Sequence, residues 1–301
     1  MPDILVVGSL NADLVVRAPR FPQPGETISG SDLEVIPGGK GANQAVAAAR
    51  LGANVSILGR VGKDNFGDFL LDNLKQNHVD ISRVLRDNSS TGTAIIVVDE
   101  NGQNCIVLSP GANGKVTPAD VESASFPHHS LILFQLEIPT PTVLRAAQRA
   151  RENKLRIILN PAPAKEIPDD LIALADYIVP NETELSLLTG QTVSDISSAE
   201  KAAKQLLDRG ARNVIVTLGS KGALIVNKAI IKQVDAYKVE VVDTTAAGDA
   251  FIGGFATALL QDKSLEESVR FGCACGALAV TKFGAQPSLP TKEEVEKLIS
   301  S

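Results

Sequence analysis

Short apolar runs alternate with helical patterns along most of the chain, most regularly after residue 115. The runs that predict buried strands in this part are 131–134, 156–159, 177–179 and 214–218. The helical patterns lie at 142–152, 199–209, 248–261, 265–281 and 291–300. Alternation this regular predicts an α/β fold, a doubly wound and mostly parallel sheet flanked by helices.

The amino-terminal part contributes two more predicted strands, at 4–7 and 55–58, and an Ala-rich helix at 45–51. Asn11 and Asp13 follow the first of these strands directly. Ligands of open α/β sheets bind outside the carboxyl ends of the strands, so this pair is well placed for a polar ligand. Asn and Asp are also ordinary turn residues, and the two interpretations stay open at this point.

Two segments depart from the α/β pattern and predict β-hairpins. Residues 13–38 carry short apolar runs on either side of a Pro/Gly turn, and residues 92–108 carry two runs around Asn101-Gly102. Asn-Gly between such runs is a strong hairpin signal. We expect the two segments to form a small β-sheet lid on an α/β domain of residues 1–12, 39–91 and 109–301.

A glycine-rich stretch, Gly38-Gly39-Lys40-Gly41-Ala42-Asn43-Gln44, leads into the first helix. Its glycines let the backbone approach a ligand closely, and Lys40 and Asn43 lie near a helix start. The spacing is not that of a P-loop, and no Gly-x-Gly-x-x-Gly follows the first strand. The missing fingerprint argues against a nucleotide-dependent oxidoreductase.

The stretch from Asp243 to Asp249 is the strongest candidate for the chemistry. An apolar run at 238–242 predicts a strand that ends in Asp243, and a helix follows the small residues. The first N–H groups of a helix lack intrahelical partners and carry partial positive charge, so this is a natural anion site. Ala246, Ala247 and Gly248 leave room for the anion. Asp249 also suits the helix dipole, and this stretch alone leaves a structural role open.

Polar residues recur at one end of strand after strand, and each has an ordinary explanation as a cap or turn. They are Asn11, Asp13, Glu137, Asn181, Glu184, Thr217, Asp243 and Asp249. Capping alone does not explain a row of them along one sheet edge. The row therefore predicts an active site.

Composition narrows the class of protein. The net charge of −6 argues against a general nucleic-acid binder but allows a small anionic ligand. No run resembles a signal peptide or a membrane span, so we expect a cytoplasmic protein without membrane contacts. The three cysteines predict no disulfide framework. Cys273 and Cys275 fall on different helix faces, which favours burial over a metal site.

Six stretches, in order along nearly the whole chain, resemble the motifs of the ribokinase family of sugar kinases. They are Asn11-Ala12-Asp13, Gly38 to Gln44, Asn181-Glu182-Thr183-Glu184, Thr217 to Gly222, Asp243 to Asp249 and Gly284-Ala285-Gln286-Pro287-Ser288. The resemblance implies an α/β domain with a β lid. It also implies ATP-dependent phosphorylation of ribose at the 5-hydroxyl, and a homodimer joined through the lids.

The resemblance also implies a role for each matching position. Asp249 becomes the base, and Ala246, Ala247 and Gly248 become the anion hole for the transferring phosphoryl group. The implied sugar contacts are Asn11, Asp13, Gly39, Lys40, Gly41, Asn43, Glu137 and Asp249. The implied nucleotide contacts are Asn181, Thr217, Leu218, Gly219, Ser220, Lys221, Gly222, Gly248 and Cys273, with Glu184 organising Mg²⁺ through water. The implied K⁺ ligands are Asp243, Thr245, Ala279, Lys282, Gly284 and Ser288.

Two departures and two alternatives accompany the resemblance. Cys273 and Phe283 stand where members of the family vary and often carry polar or basic residues. A kinase acting on deoxyribose, fructose, another sugar or a nucleoside is the nearer alternative, although Asn11-Ala12-Asp13, Lys40 and Asn43 favour ribose. The second alternative is a non-catalytic sugar-binding regulator. Asp249 and the complete anion-hole stretch before it argue against this alternative.

Overall fold

A computed structural model describes residues 3–126 and 130–300, which form two β-sheets with helices around the larger one. The strands are β1 (Ile4–Val7), β2 (Asn11–Arg17), β3 (Glu34–Gly38), β4 (Val55–Gly62), β5 (Asp80–Asp87), β6 (Gly92–Val98), β7 (Asn104–Ser109), β8 (Leu131–Phe134), β9 (Arg156–Leu159), β10 (Tyr177–Ile178), β11 (Asn213–Thr217), β12 (Ala223–Asn227) and β13 (Ile231–Val234). The α-helices are α1 (Lys40–Arg50), α2 (Asn65–Gln76), α3 (Pro118–Ser123), α4 (Thr140–Glu152), α5 (Asp169–Leu174), α6 (Glu182–Thr189), α7 (Ile196–Asp208), α8 (Ala247–Leu260), α9 (Leu265–Ala279), α10 (Ala285–Ser288) and α11 (Lys292–Ser300). Short 3-10 helices lie at Gly111–Lys115 and Gly219–Lys221.

The larger sheet has nine strands in the order β13-β12-β11-β10-β9-β8-β1-β4-β5. All neighbouring strands from β5 to β11 are parallel, whereas β12 and β13 add an antiparallel edge. The predicted strands at 4–7, 131–134 and 156–159 agree with the structure residue for residue. The prediction of a mostly parallel, doubly wound sheet is confirmed.

Strand β1 shows how the sheet is buried on both faces. Its four residues are completely buried, and successive side chains point to opposite faces. Ile4 and Val6 pack in one core with residues of α1, α8 and α9, while Leu5 and Val7 pack in a second core with residues of α4 and α7. A strand covered by helices on both sides has no polar face, which is why the sequence shows an unbroken apolar run.

The smaller sheet has four strands in the order β3-β2-β6-β7. β2 with β3 and β6 with β7 are the two predicted hairpins, and β2 runs parallel to β6 between them. The separate four-strand sheet confirms the predicted small β lid. The division of the chain into a domain and a lid at the predicted positions stays a prediction. Several apolar side chains of this sheet are exposed, among them Val35, Ile95, Ile106 and Val107.

The strand predicted at 238–242 is wrong. No regular element occupies residues 235–246, and Val241 and Val242 are each 61% exposed. The backbone N–H of Val242 donates to the carbonyl of Val280 at 2.7 Å, at the end of α9. The apolar side chains there line a cavity under the small sheet and pair with no strand.

Helix boundaries differ from the predicted ones mainly at α1, which begins at Lys40 and not at residue 45. Asn43 and Gln44 are therefore inside the helix, on its first turns. Within the described ranges, no helix combines the length and the apolar character that a membrane crossing requires.

Candidate active site

Asp249 lies at the start of α8, and the residue is 6% exposed. Its Oδ2 accepts a hydrogen bond from Nδ2 of Asn43 at 2.9 Å, and its Oδ1 accepts one from Nε2 of Gln44 at 3.0 Å. Helices α1 and α8 pack closely enough for these bonds: a Cβ on Gly253 would stand 2.5 Å from that of Ala47. Each oxygen of the carboxylate therefore has a fixed amide donor.

The turn before α8 leaves an open site beside Asp249. Ala246 adopts a left-handed conformation with φ of 59°, and the N–H of Ala250 closes the first helical turn on its carbonyl at 2.8 Å. The N–H groups of Gly248 and Asp249 come before this first hydrogen bond of the helix in the chain, so they have no acceptor within α8. Apart from its two chain neighbours and the nearby backbone of α8, no heavy atom of the described residues stands within 4 Å of the position that a Cβ on Gly248 would take. The helix start has the free space and the donors that an anion requires.

Asp13, Lys40, Glu137, Glu184 and Asp249 come from five separate elements and lie close enough to influence one another's ionisation. Burial, followed by the charges of Glu137 and Asp249, raises the pKa of Asp13 to about 7, against the opposing effect of Lys40. The predicted row of polar residues is therefore, at these positions, one group of interacting charges.

Lys40 is the positive charge of this group. Burial lowers the pKa of its ammonium, but the surrounding carboxylates outweigh that effect and leave the pKa above its ordinary value. These carboxylates are Asp249, Glu137, Glu184 and Asp13. Lys40 consequently stays protonated.

Glu137 follows β8 and is tied to the amino-terminal elements. Its Oε2 accepts from the hydroxyl of Ser9 and from the backbone N–H of Lys40, the latter at 3.0 Å. The same Ser9 hydroxyl accepts from the N–H of Gly41 at 3.2 Å. Ser9 is completely buried, and its role was not predicted from the sequence.

Asn11 is held by a residue that the sequence analysis also missed. Nδ2 of Asn113 donates to Oδ1 of Asn11 at 2.7 Å, and Asn113 is itself bonded in both directions to the backbone of Leu10. Asn113 lies in the first 3-10 helix, and no local pattern indicates this contact. Gly92 must be a glycine because a Cβ there would stand 2.4 Å from Oδ1 of Asn11.

The glycine-rich stretch serves packing in this structure. Gly39 has a φ of 87°, and a Cβ on it would stand 2.6 Å from the nitrogen of Asn11. A Cβ on Gly41 would stand 2.5 Å from the nitrogen of Ser9, and one on Gly38 only 2.1 Å from Oδ2 of Asp13. The glycines therefore let α1 and β3 approach the polar residues that follow β1.

Asn181 and Glu184 form a capping box at the start of α6. The side chain of Asn181 accepts from the N–H of Glu184 at 2.8 Å, and Oε2 of Glu184 accepts from the N–H of Asn181 at 2.9 Å. Burial raises the pKa of Glu184, although the Asn181 N–H and Lys40 oppose the rise. The interpretation of these two residues as a helix cap is therefore correct. The cap also holds the Glu184 carboxylate near enough to Lys40 for their charges to interact.

The loop that follows β11 lies next to Asn181, which pairs with Thr217 across a short parallel bridge. Leu218 donates to the carbonyl of Gly222 at 2.8 Å, which closes the turn. Gly219, Ser220 and Lys221 are exposed within it. The loop presents a free surface beside α6.

Cys273 is buried in the core on α9. Burial, with a contribution from Asp235, raises the pKa of its thiol to about 12, so the thiol stays neutral at physiological pH. Its predicted contact with a nucleotide stays a prediction.

Asp243 joins the turn before α8 to the segment after α9. Its Oδ1 accepts from the N–H and the hydroxyl of Thr245 at 2.9 and 2.6 Å, and its Oδ2 accepts from the N–H of Gly284 at 2.9 Å. Ser288 is completely buried and donates to the carbonyl of Ala285, while the Lys282 ammonium pairs with Glu294. In residues 3–126 and 130–300, no cluster of three or more His, Cys, Asp and Glu side chains could hold a metal ion.

A cavity of about 410 Å³ lies between the small sheet and the segments 241–245 and 283–285. Asp13 and Ile36 line it from the small sheet, and Thr245 and Gly284 line it from the other side. The guanidinium of Arg17 stacks 4.2 Å above the ring of Phe283, so the small sheet contacts the segment after α9 directly. A cavity of this size accommodates a small polar ligand.

The sequence and the fold of the whole chain are similar to those of known carbohydrate kinases. The pfkB family of carbohydrate kinases matches residues 1–292. A ribokinase of Haemophilus influenzae is 44% identical over 294 residues, covering 97% of this chain and 96% of its own. A deoxyribokinase of Salmonella typhi is 38% identical over 302 residues, 99% of each chain. The structure of Arabidopsis thaliana ribokinase complexed with ribose and ATP has a TM-score of 0.92 and 35% identity, and the match covers 100% of this chain and 99% of that one. By family match and by full-length similarity, the chain belongs to the pfkB family of carbohydrate kinases.

Proposed function

We propose that this carbohydrate kinase is a ribokinase, which transfers a phosphoryl group from ATP to the 5-hydroxyl of D-ribose and releases ribose 5-phosphate and ADP. The observation that carries the proposal is the placement of the buried Asp249 carboxylate beside the open start of α8. A hydroxyl and a phosphoryl group can meet there, with an acceptor for the proton and donors for the charge. The full-length similarity to ribokinases supports ribose as the sugar.

Asp249 acts as the base in this proposal. The transition state of phosphoryl transfer is loose, so the reaction depends on positioning and on stabilising spread negative charge more than on a strong base. Asp249 accepts a hydrogen bond from the 5-hydroxyl, orients its oxygen towards the phosphorus and takes the proton as the new bond forms. Ala246, Ala247 and Gly248 form the anion hole, in which backbone N–H groups at the helix start donate to the transferring group. The N–H of Ala247 donates to the carbonyl of Thr244 at 3.3 Å in this structure, so it would have to exchange that acceptor for the phosphoryl group.

The sugar occupies the space next to Asp13, Asn11 and Asn43. Oδ1 of Asn43 is buried and accepts no hydrogen bond from any described residue, so it is available to a sugar hydroxyl. Asp13 provides two further acceptor oxygens, which suit the vicinal hydroxyls of ribose. Lys40 and Glu137 complete the sugar contacts, and Gly39 and Gly41 bring the backbone close. The small sheet covers the sugar and excludes water, which would otherwise compete as an acceptor.

ATP occupies the side of the site that Asn181 and the loop from Thr217 to Gly222 define. The residues also suit Mg²⁺, because the Glu184 carboxylate interacts electrostatically with Lys40 and Asp249 and would organise the ion through water, which is an oxygen ligand that Mg²⁺ prefers. When bound, Mg²⁺ neutralises the charge of the polyphosphate. Cys273 lies at the adenine side in this proposal.

The segment around Asp243 suits K⁺. Asp243 supplies a carboxylate, Ser288 a hydroxyl, and backbone carbonyls near Thr245, Ala279, Lys282 and Gly284 supply neutral oxygens. A K⁺ bound there would fix the turn that carries the anion hole, which is an activating role. We also propose a cytoplasmic homodimer, in which the exposed apolar residues of the two small sheets cover one another.

The nearer alternative is a deoxyribokinase, since a relative with that activity is 38% identical over 99% of the chain. One experiment tests both. We expect a coupled assay of ATP consumption to show the highest kcat/KM with ribose, a lower value with deoxyribose and little turnover with fructose. A higher kcat/KM with deoxyribose would favour the alternative, and no turnover with any sugar would remove the proposal.

A further inference from the structure

A chain of side-chain amides lies behind Asp249, and the roles proposed above do not use it. Nε2 of Gln44 donates to Oδ1 of Asp249 at 3.0 Å and to Oδ1 of Asn160 at 3.1 Å. Oε1 of Gln44 accepts from Nε2 of Gln135 at 2.6 Å. Gln44 and Gln135 are completely buried. The amides join α1 and α8 to the ends of β8 and β9.

Asn160, at the end of the chain of amides away from Asp249, determines which amide donates and which accepts in each of these hydrogen bonds. Nδ2 of Asn160 donates to the backbone carbonyl of Val179 at 3.0 Å, and a carbonyl only accepts. Asn160 must then turn its oxygen towards Gln44, and Gln44 must turn its amino group towards Asn160 and Asp249. An N–H consequently points at Asp249.

Gln44 and Asn43 both donate to Asp249, but they differ in which of their amide atoms are left without a partner. Gln44 uses both amino hydrogens and its oxygen within the protein, so its amide has no donor left for a ligand. Asn43 keeps a buried oxygen that no described residue satisfies. Asn43 is equipped to contact a sugar, whereas Gln44 is equipped only to hold the carboxylate.

We propose that Gln44 is a positioning residue for the catalytic base. Its amide fixes Oδ1 of Asp249 as an acceptor, and the lone pairs that remain on the carboxylate face the reacting hydroxyl. A carboxylate has about four lone-pair sites, and the two amides occupy one on each oxygen. The inference rests on the proposed function, in which Asp249 accepts the proton of the sugar.

Two variants of similar size test the proposal. Gln44→Met removes the donors, and we expect kcat to fall about 10- to 100-fold while the KM for ribose changes by less than about threefold. Gln44→Glu places a second carboxylate against Asp249. We expect a larger fall in kcat at neutral pH and an acid limb of the kcat profile that moves to higher pH. The matched controls are Gln205→Met and Gln205→Glu, since Gln205 is half-buried on α7 away from this cluster.

A purely space-filling role would leave kcat of Gln44→Met near the wild-type value, and that result would overturn the proposal. An unchanged pH profile of Gln44→Glu would show that position 44 does not act on Asp249 and would overturn it too. So would a kcat within about twofold of wild type in both Gln44 variants. If Gln44→Met fails to fold, the profile of Gln44→Glu decides alone.

If the wild-type protein phosphorylates no sugar, the proposed function fails and an NMR titration still tests Gln44. The Asp249 carboxyl ¹³C resonance is assigned by its absence in Asp249→Asn. We expect its titration midpoint to lie at higher pH in Gln44→Glu than in the wild type. An unchanged midpoint would overturn the positioning role.

Discussion

Nδ2 of Asn43 donates to Oδ2 of Asp249 at 2.9 Å, although 206 positions separate the two residues in the chain. This bond joins the first turns of α1 and α8. The residue proposed to hold the sugar and the residue proposed to activate it are therefore parts of one rigid contact between two helices. Placement of the hydroxyl and placement of the base are coupled through a single amide.

Replacing Asp249 tests the proposed base. We expect Asp249→Asn to lower kcat by about 10²- to 10⁴-fold, because the amide cannot take the hydroxyl proton. The KM for ATP and the melting temperature should change little, since the amide keeps the size of the side chain. Steady-state kinetics with ribose and calorimetry measure these effects. Asp208→Asn, at the end of α7, is the control, and turnover above about a tenth of wild type in Asp249→Asn would refute the assignment.

The pKa of Asp13 predicts a pH dependence of stability. Its pKa is raised from 3.8 to about 7, mainly by burial and further by the charges of Glu137 and Asp249, so the folded protein holds this proton more tightly than the unfolded chain. The stability that the folded protein gains from this tighter proton binding is fully present below the ordinary pKa of 3.8. It is lost as the pH rises through about 7. Asp13→Asn does not titrate, and we expect it to be more stable than the wild type by a few kcal/mol above that pH.

Chemical denaturation at several pH values measures this difference. Equal stability of the two proteins above neutral pH would show that the folded environment does not disfavour the Asp13 charge. The same residue is proposed to bind the sugar as a carboxylate. We therefore also expect the KM for ribose to rise as the pH falls below about 7.

Gly38 controls the position of Asp13. A Cβ at residue 38 would stand 2.1 Å from Oδ2 and 2.7 Å from Oδ1 of Asp13, so the carboxylate would have to move. We expect Gly38→Ala to raise the KM for ribose at least about tenfold and to leave the KM for ATP nearly unchanged. Gly114→Ala is the control, since its nearest neighbour would be 3.6 Å away. Similar kinetics in the two variants would contradict a sugar-binding role for Asp13.

A monovalent cation should activate the enzyme through the segment around Asp243. We expect turnover to be several-fold higher in K⁺ than in tetramethylammonium at equal ionic strength. In Asp243→Asn the difference between the two salts should shrink, because the carboxylate no longer contributes charge to the site. Equal turnover of the wild-type protein in K⁺ and in tetramethylammonium would show that K⁺ does not activate it.

Much of the fold could be predicted because buried parallel strands have an unambiguous pattern. β1 and β8 are apolar on both faces, and β9 is apolar after Arg156, so their limits agree residue for residue. β5 was not predicted because it is an edge strand rich in charged residues. The strand at 238–242 was predicted wrongly, because exposed valines that line a cavity have the same pattern as buried strand residues.

The candidate site was predictable only where a short motif carries its own chemistry. The turn from Asp243 to Asp249 and the cap formed by Asn181 and Glu184 belong to this class. The partners of Ser9, Asn113 and Gln44 lie 128, 102 and 205 positions away, and no local pattern indicates which distant side chain will meet them. These contacts depend on the packing of α1 and α8 and on the order of the strands.

The most direct test of the account identifies the product. Ribose labelled uniformly with ¹³C is incubated with the protein, ATP, Mg²⁺ and K⁺, and ¹³C NMR records which carbon becomes coupled to phosphorus. We expect coupling to phosphorus at C5 and, through three bonds, at C4, and we expect Asp249→Asn at the same concentration to form this product about 10²- to 10⁴-fold more slowly. Coupling at C1, C2 or C3, ribose without any coupling to phosphorus, or equal rates for the two proteins would contradict the account.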